Sequence, residues 1–325
     1  MRRPAPSQLT TLALLLAGAF APAWAAPVLG ASSSASAAGV TGTPNSYSQG
    51  SPPSYFGSDT SVNQTAGRAL ASAFANGNGV YASNSRAEGR TANSAGRAQL
   101  TYSLTNSGAA AMQYSMNFYI YGGYIEGLLR NGASLAGAET LAASYNARIS
   151  VGGATRFLSN ASLQRTMTAF TWSKTGVDLN GLDDGGDGYY SWGGSTHQID
   201  LGVLGAGETI EILAELDTGA MTDVGTYDYS CGGGYGGYGG YGGYGGYGGG
   251  GATCTDFKGR SGAFYGDPTI FEGSELPGGP VSFSATALNN VPEPASLLLA
   301  SLGLGAAGLT GRRRRAADSA PPSRP

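Results

Sequence analysis

The chain has 325 residues, of which 41% are hydrophobic and only 12% charged, and its formal charge is −3. Between residues 26 and 310 there are 11 basic and 20 acidic side chains with no Lys/Arg cluster, which argues against a nucleic-acid partner, because phosphate neutralisation needs clustered basic residues. One histidine and two cysteines are too few nitrogen and sulfur ligands for a zinc site.

The chain opens on a basic Met1-Arg2-Arg3, followed by an apolar stretch over residues 9–20 and by Ala23-Trp24-Ala25. This is the layout of a secretory signal peptide, residues 1–25, cleaved after Ala25. Residues 26–66 are dominated by Ser, Ala, Gly, Pro and Thr. That composition offers little apolar surface to offset the entropy of ordering, so a flexible arm is expected, with one early strand near Tyr55-Phe56.

From Phe74 onward the pattern has period 2, which predicts strands with one buried face. Leu100, Tyr102 and Leu104 alternate with polar residues, as do Tyr114, Met116, Phe118 and Ile120, and the Thr105-Asn106-Ser107-Gly108 turn between them predicts a hairpin. Further alternating runs are Tyr145, Ala147, Ile149, Val151; Ile199, Leu201, Val203; Ile210, Ile212, Ala214, Leu216; and Val281, Phe283, Ala285. Weaker strands are expected at 74–81, 156–158, 170–172 and 227–230. The Gly205-Ala206-Gly207 turn reads as the tip of a second hairpin. No long segment has helical periodicity, and Gly132 and Gly137 argue against a helix over 128–141. Many strands separated by Gly/Asn/Asp turns predict an all-β fold over residues 67–290, an antiparallel β-sandwich of jelly-roll or immunoglobulin-like type.

Residues that carry chemistry are few. His197, the single histidine, lies at the start of a strand with no Gly-x-Ser-x-Gly elbow, so no catalytic residue is assigned and the protein reads as a non-enzyme. The acidic stretch 178–188 reads most simply as a solvated Asp/Gly turn. The alternative is a weak Ca²⁺ site on Asp183, Asp184 and Asp187, without the spacing of an EF-hand. Trp172, Tyr189, Tyr190 and Trp192 near that loop are a candidate ligand platform. Tyr235, Tyr238, Tyr241, Tyr244 and Tyr247 recur every third residue in a Gly/Tyr tract, residues 232–251, that suits neither helix nor strand and is expected to be a loop. Cys231 and Cys254 flank it with 22 residues between them, and in an oxidising compartment they predict a disulfide.

Residues 291–315 run Val291-Pro292-Glu293-Pro294, then about 17 uncharged residues, enough for a single transmembrane helix of roughly 25 Å, then Arg312, Arg313, Arg314 and Arg315. The arginines belong on the cytoplasmic side, which puts the preceding chain outside. This segment closely resembles the PEP-CTERM domain; the tail 316–325 is longer than usual for it. The resemblance implies recognition of Pro292, Glu293 and Pro294 by an exosortase in the inner membrane of a Gram-negative, exopolysaccharide-producing cell. The expectation is a surface or extracellular-matrix protein with a structural or adhesive role in exopolysaccharide or biofilm. The alternative is a lectin-like carbohydrate-binding module.

Overall fold

The structure is a computed structural model that describes residues 23–24, 27–49, 55–77, 79–179, 184–185, 188–230, 253–266 and 281–288. In chain order the strands are β1 (Ala23–Trp24), β2 (Val28–Ala37), β3 (Val40–Thr41), β4 (Asn45–Gln49), β5 (Tyr55–Gln64), β6 (Gly67–Asn76) and β7 (Tyr81–Gly89). They continue with β8 (Ala92–Thr105), β9 (Met112–Ile120), β10 (Gly123–Leu129), β11 (Thr140–Val151), β12 (Ala154–Thr166), β13 (Phe170–Gly176) and β14 (Asp184–Gly185). The last are β15 (Tyr189–Trp192), β16 (Ser195–Leu204), β17 (Thr209–Asp223), β18 (Thr226–Ser230), β19 (Thr253–Phe257), β20 (Gly259–Tyr265) and β21 (Val281–Ala287). The described residues are all-β.

One sheet runs β13-β12-β11-β17-β8-β2-β3, with β1 paired to β8, and a second runs β14-β15-β10-β20-β7-β6-β5-β4. They stack face to face, with β2 over β5 and β6, β8 over β6 and β7, and β17 over β7 and β20. A third sheet, β16-β9-β21, and a two-stranded ribbon, β18-β19, complete the unit.

Two kinds of interior hold the layers together. The main core gathers Leu100, Leu104, Met116, Ile125, Tyr145, Ile149, Trp192 and Leu216 from all three sheets. Toward β2 the residues shrink to Ala35, Ala37, Ala69, Ala87 and Ala92 around Val62. Hydroxyls bridge the layers there. Ser33 Oγ lies 2.9 Å from Ser58 Oγ and 2.6 Å from Thr60 Oγ1, and Ser83 and Ser85 Oγ lie 2.7 and 2.9 Å from Thr218 Oγ1.

This interior overturns the flexible arm expected at 26–66, and the β-rich unit begins well upstream of residue 67. β2 pairs with β8 from Val28↔Thr101 to Ser36↔Asn93, and β4 and β5 extend the second sheet. Small side chains let the sheets approach closely, and the buried hydroxyls of Ser33, Ser58 and Thr60 find partners across the gap, so a segment poor in large apolar residues is still worth ordering.

Neither expected hairpin forms. β8 pairs with β17 and β2, whereas β9 pairs with β16. The link 105–112 passes from the first sheet to the third and the link 204–209 passes back, at a corner built on Asn106. That residue is fully buried. Its Nδ2 donates to the carbonyls of Ala110, Leu204 and Gly205, its Oδ1 accepts from Gly108 N, and its backbone bonds Glu208 and Gly207. A turn-former by composition is here a corner post.

Two smaller differences follow from local geometry. Val203, expected inside, is exposed, because the β9–β16 register shifts between Asp200 and Gly202, where Gly202 takes φ +92°. The expected strand 74–81 is not one strand: residues 74–76 end β6, Tyr81 opens β7, and the turn between them is closed by Asn76 N donating to Val80 O at 2.8 Å.

Candidate functional site

The platform expected from Trp172, Tyr189, Tyr190 and Trp192 is not one surface, because Tyr189 and Tyr190 alternate to opposite faces of β15. Tyr190 and Trp192 face inward and are only 4% and 3% exposed. Trp192 packs 4.4 Å from Tyr145 and donates Nε1–H to Tyr121 O at 3.1 Å. Both are core residues. Trp172, on the edge strand β13, is covered in part by Lys174, whose Nζ lies 4.5 Å from its ring and 4.7 Å from the Tyr190 ring. Lys174 is itself fixed by Asp178 at 3.0 Å, and the Tyr190 hydroxyl donates to the same carboxylate at 3.1 Å. Burial and that carboxylate push the Tyr190 phenol above its ordinary range.

The remaining expected sites are only partly within view. Asp183 and Asp187 lie outside the described residues, and of Asp184 only the pairing of its strand with Tyr190 is described. Among the described residues no group of His, Cys, Asp or Glu could hold a metal ion. Cys254 lies in β19 opposite Tyr229, whereas Cys231 and the Gly/Tyr tract lie outside the described residues. His197 sits on β16 with Nε2 2.8 Å from Ser195 Oγ, and its ring stacks on Phe118 at 5.6 Å. Burial holds its pKa below the usual value. A serine two residues away on one strand face is what alternation delivers, and it is the one side-chain hydrogen bond described for the ring.

A different cluster stands on the outer face of the second sheet. Tyr47 of β4 lies across Gly57 of β5, where any side chain would run into its ring. It stacks on Tyr55 at 5.6 Å, which stacks on Phe74 at 5.7 Å. Burial, then the Tyr47 hydroxyl, raise the Tyr55 phenol above its normal range. Farther along the face Phe264 stacks on Tyr124 at 5.7 Å, and Tyr124 on Tyr189 at 5.5 Å. Between the two stacks lies a furrow of about 220 Å³. Asp59, Ser72, Asn84 and Phe264 are successive partners in one row across β5, β6, β7 and β20. Asp59 is the one charged residue lining it.

Sequence reasoning missed this furrow. Tyr47 and Asp59 fall in the stretch read as an arm, and the alignment with Asn84 and Phe264 depends on strand order. The available signal was the outward parity of Tyr47 and Phe264 in otherwise short-residue strands.

Residues 290–315 match the family described as the PEP-CTERM protein-sorting motif. The chain carries a PEP-CTERM sorting signal. The match includes Pro292, Glu293, Pro294 and the arginines Arg312 to Arg315. A PEP-CTERM signal implies export, membrane-anchored transit to the cell surface and processing by an exosortase. The segment, with its expected membrane helix, lies outside the described residues; among those described, no helix is long and apolar enough to cross a membrane. No curated protein and no solved structure matches the chain.

Proposed function

We propose that this PEP-CTERM protein works at the surface, or in the extracellular matrix, of an exopolysaccharide-producing Gram-negative cell, in a structural or adhesive role and not as an enzyme. The sorting motif at 290–315 carries the reading, because it sets where the working part of the chain ends up. In this scheme Pro292, Glu293 and Pro294 are recognised by the exosortase while residues 295–311 hold the chain in the inner membrane, and the stacked sheets are delivered outside as a β-sandwich scaffold. The Gly/Tyr tract leaves and re-enters this scaffold through neighbouring strands, Ser230 standing opposite Thr253. Tyrosines presented there can stack on sugar rings or on neighbouring molecules, which suits cohesion.

Two variants test the proposal in the producing cell. Replacing Pro292, Glu293 and Pro294 with alanine is expected to hold the protein in the inner-membrane fraction, and deleting residues 232–251 to weaken cell–cell cohesion at unchanged surface level. Normal surface delivery of the first variant, or unaltered cohesion with the second, overturns the corresponding half. A carbohydrate-binding reading is favoured by one observation, the aromatic-walled furrow on the second sheet.

A further inference from the structure

We infer that the outer face of the second sheet binds a neutral polysaccharide chain, with the furrow between Tyr47 and Phe264 as its central subsite. The inference extends the surface role proposed above and names the ligand class and the site. Three observations carry it.

The first is the chemistry of the furrow. Aromatic rings present apolar, electron-rich faces that match the C–H face of a sugar ring, while a carboxylate, a hydroxyl and a carboxamide supply acceptors and donors for its hydroxyls. Asp59, Ser72 and Asn84 provide those three groups in one row, between the Tyr47 and Phe264 walls. None of the three has a side-chain hydrogen bond or ion pair to another described residue. Polar groups in a folded surface patch that are not used internally are available to a ligand.

The second is extent. At about 220 Å³ the furrow is smaller than the roughly 300–1,000 Å³ of enclosed small-molecule pockets, and it fits a single ring better than a whole ligand. The aromatic surface does not stop there. It continues over Tyr124 and Tyr189 on β10 and β15. From β4 to β15 there are six interstrand spacings, about 29 Å at ~4.8 Å each. That length accommodates several rings of an extended chain lying across the strands.

The third is charge. The only ionised group lining the furrow is the Asp59 carboxylate, which would repel a uronic-acid or sulfated chain. Of the cations on the same face, Arg86 pairs with Glu88 at 2.6 Å, Arg260 pairs with Glu126 at 3.0 Å, and Arg68, in the row of Glu88, lies over the Phe257 ring at 5.5 Å. A neutral chain meets neither repulsion nor the cost of breaking those pairs. A proline-rich peptide, the other ligand that stacks on aromatic rows, brings no array of hydroxyls to satisfy Asp59, Ser72 and Asn84 together.

Affinity electrophoresis of the purified full-length protein tests the site, with hydroxyethylcellulose, galactomannan and dextran as neutral probes and alginate as an acidic one. Retardation is expected with at least one neutral polymer and not with alginate. The double variant Asp59→Ala/Asn84→Ala is expected to weaken it about tenfold or more. Its melting temperature should be unchanged, because both side chains face solvent on the sheet's outer side, and Tyr47→Ala on the edge strand β4 should weaken it comparably. Equal retardation of the double variant and the parent, retardation by alginate alone, binding of a proline-rich peptide in place of sugar, or no retardation by any neutral polymer would overturn the inference. None of those results bears on surface delivery, which the fractionation experiment reads separately.

Discussion

At the scale of single residues, the acidic side chains with most to lose on protonation are Glu215 and Glu139. Glu215 stands almost wholly buried on β17, where Arg97, Arg148 and Gln99 all donate to its carboxylate. Burial alone would raise its pKa, but the two guanidiniums and the amide outweigh burial and hold it below its ordinary 4.5. A carboxylate depressed in the folded state contributes stability that is complete above its unfolded pKa and is lost as pH falls through the folded one. Glu139 behaves alike, through Lys258 at 2.8 Å and the amides of Gly225 and Ala136. Glu215→Gln is therefore expected to lower stability at pH 7 by about 2 kcal/mol, less than the 3–5 of a fully buried pair because both arginines remain half exposed to water. The difference from the parent should shrink as pH falls below about 4.5, leaving the acid sensitivity of Glu139. Denaturant melts at pH 7, 5 and 3.5 check this. A gap that stays constant down to pH 3.5 would show that the Glu215 charge contributes nothing.

At the scale of elements, what was legible in the sequence and what was not divide along a physical line. Period-2 runs with large apolar residues were readable, and Leu100, Tyr102 and Leu104, or Tyr114, Met116, Phe118 and Ile120, are buried as their alternation predicts. Strands made of Ser, Ala and Gly were not, because their stability comes from the close approach of two sheets, which exists only after both have formed. Pairing partners were also hidden. Asn106 would serve a hairpin turn equally well, and only the three carbonyls that converge on its amide turn it into a corner. The candidate platform at Trp192 failed for a related reason, since a tryptophan's type says nothing about which face of a strand it occupies. These points make β2 the decisive element to probe. Those of its amides between Gly30 and Ser36 that point toward β8, every second one in an antiparallel ladder, are expected to exchange with deuterium nearly as slowly as the β8 amides that face them. Exchange within seconds over 28–37 would restore the flexible arm and remove one strand from the first sheet.

At the scale of the whole molecule, a sorting signal that exports the chain also sets the redox environment in which its two cysteines act. The ribbon β18-β19 ends with Ser230 opposite Thr253, and Tyr229 lies opposite Cys254. Cys231 follows Ser230 directly in sequence, so the two cysteines stand at either end of the Gly/Tyr tract. In an oxidising compartment two cysteines so placed are expected to form a disulfide. Such a bond would cross-link a loop with 22 residues between the cysteines, contributing about 3 kcal/mol by restricting the unfolded chain. It would also pin the root of the Gly/Tyr tract, so that forces on the tract pass into the ribbon and from there, through Lys258 and Glu139, into the stacked sheets. Alkylation of secreted protein is expected to label neither cysteine before reduction and both after it. Cys231→Ser/Cys254→Ser is expected to melt at a lower temperature while the β-sheet circular dichroism below the transition stays the same. Labelling of both thiols without reduction would rule the cross-link out, and the tract would then be held by the five pairs of the ribbon alone.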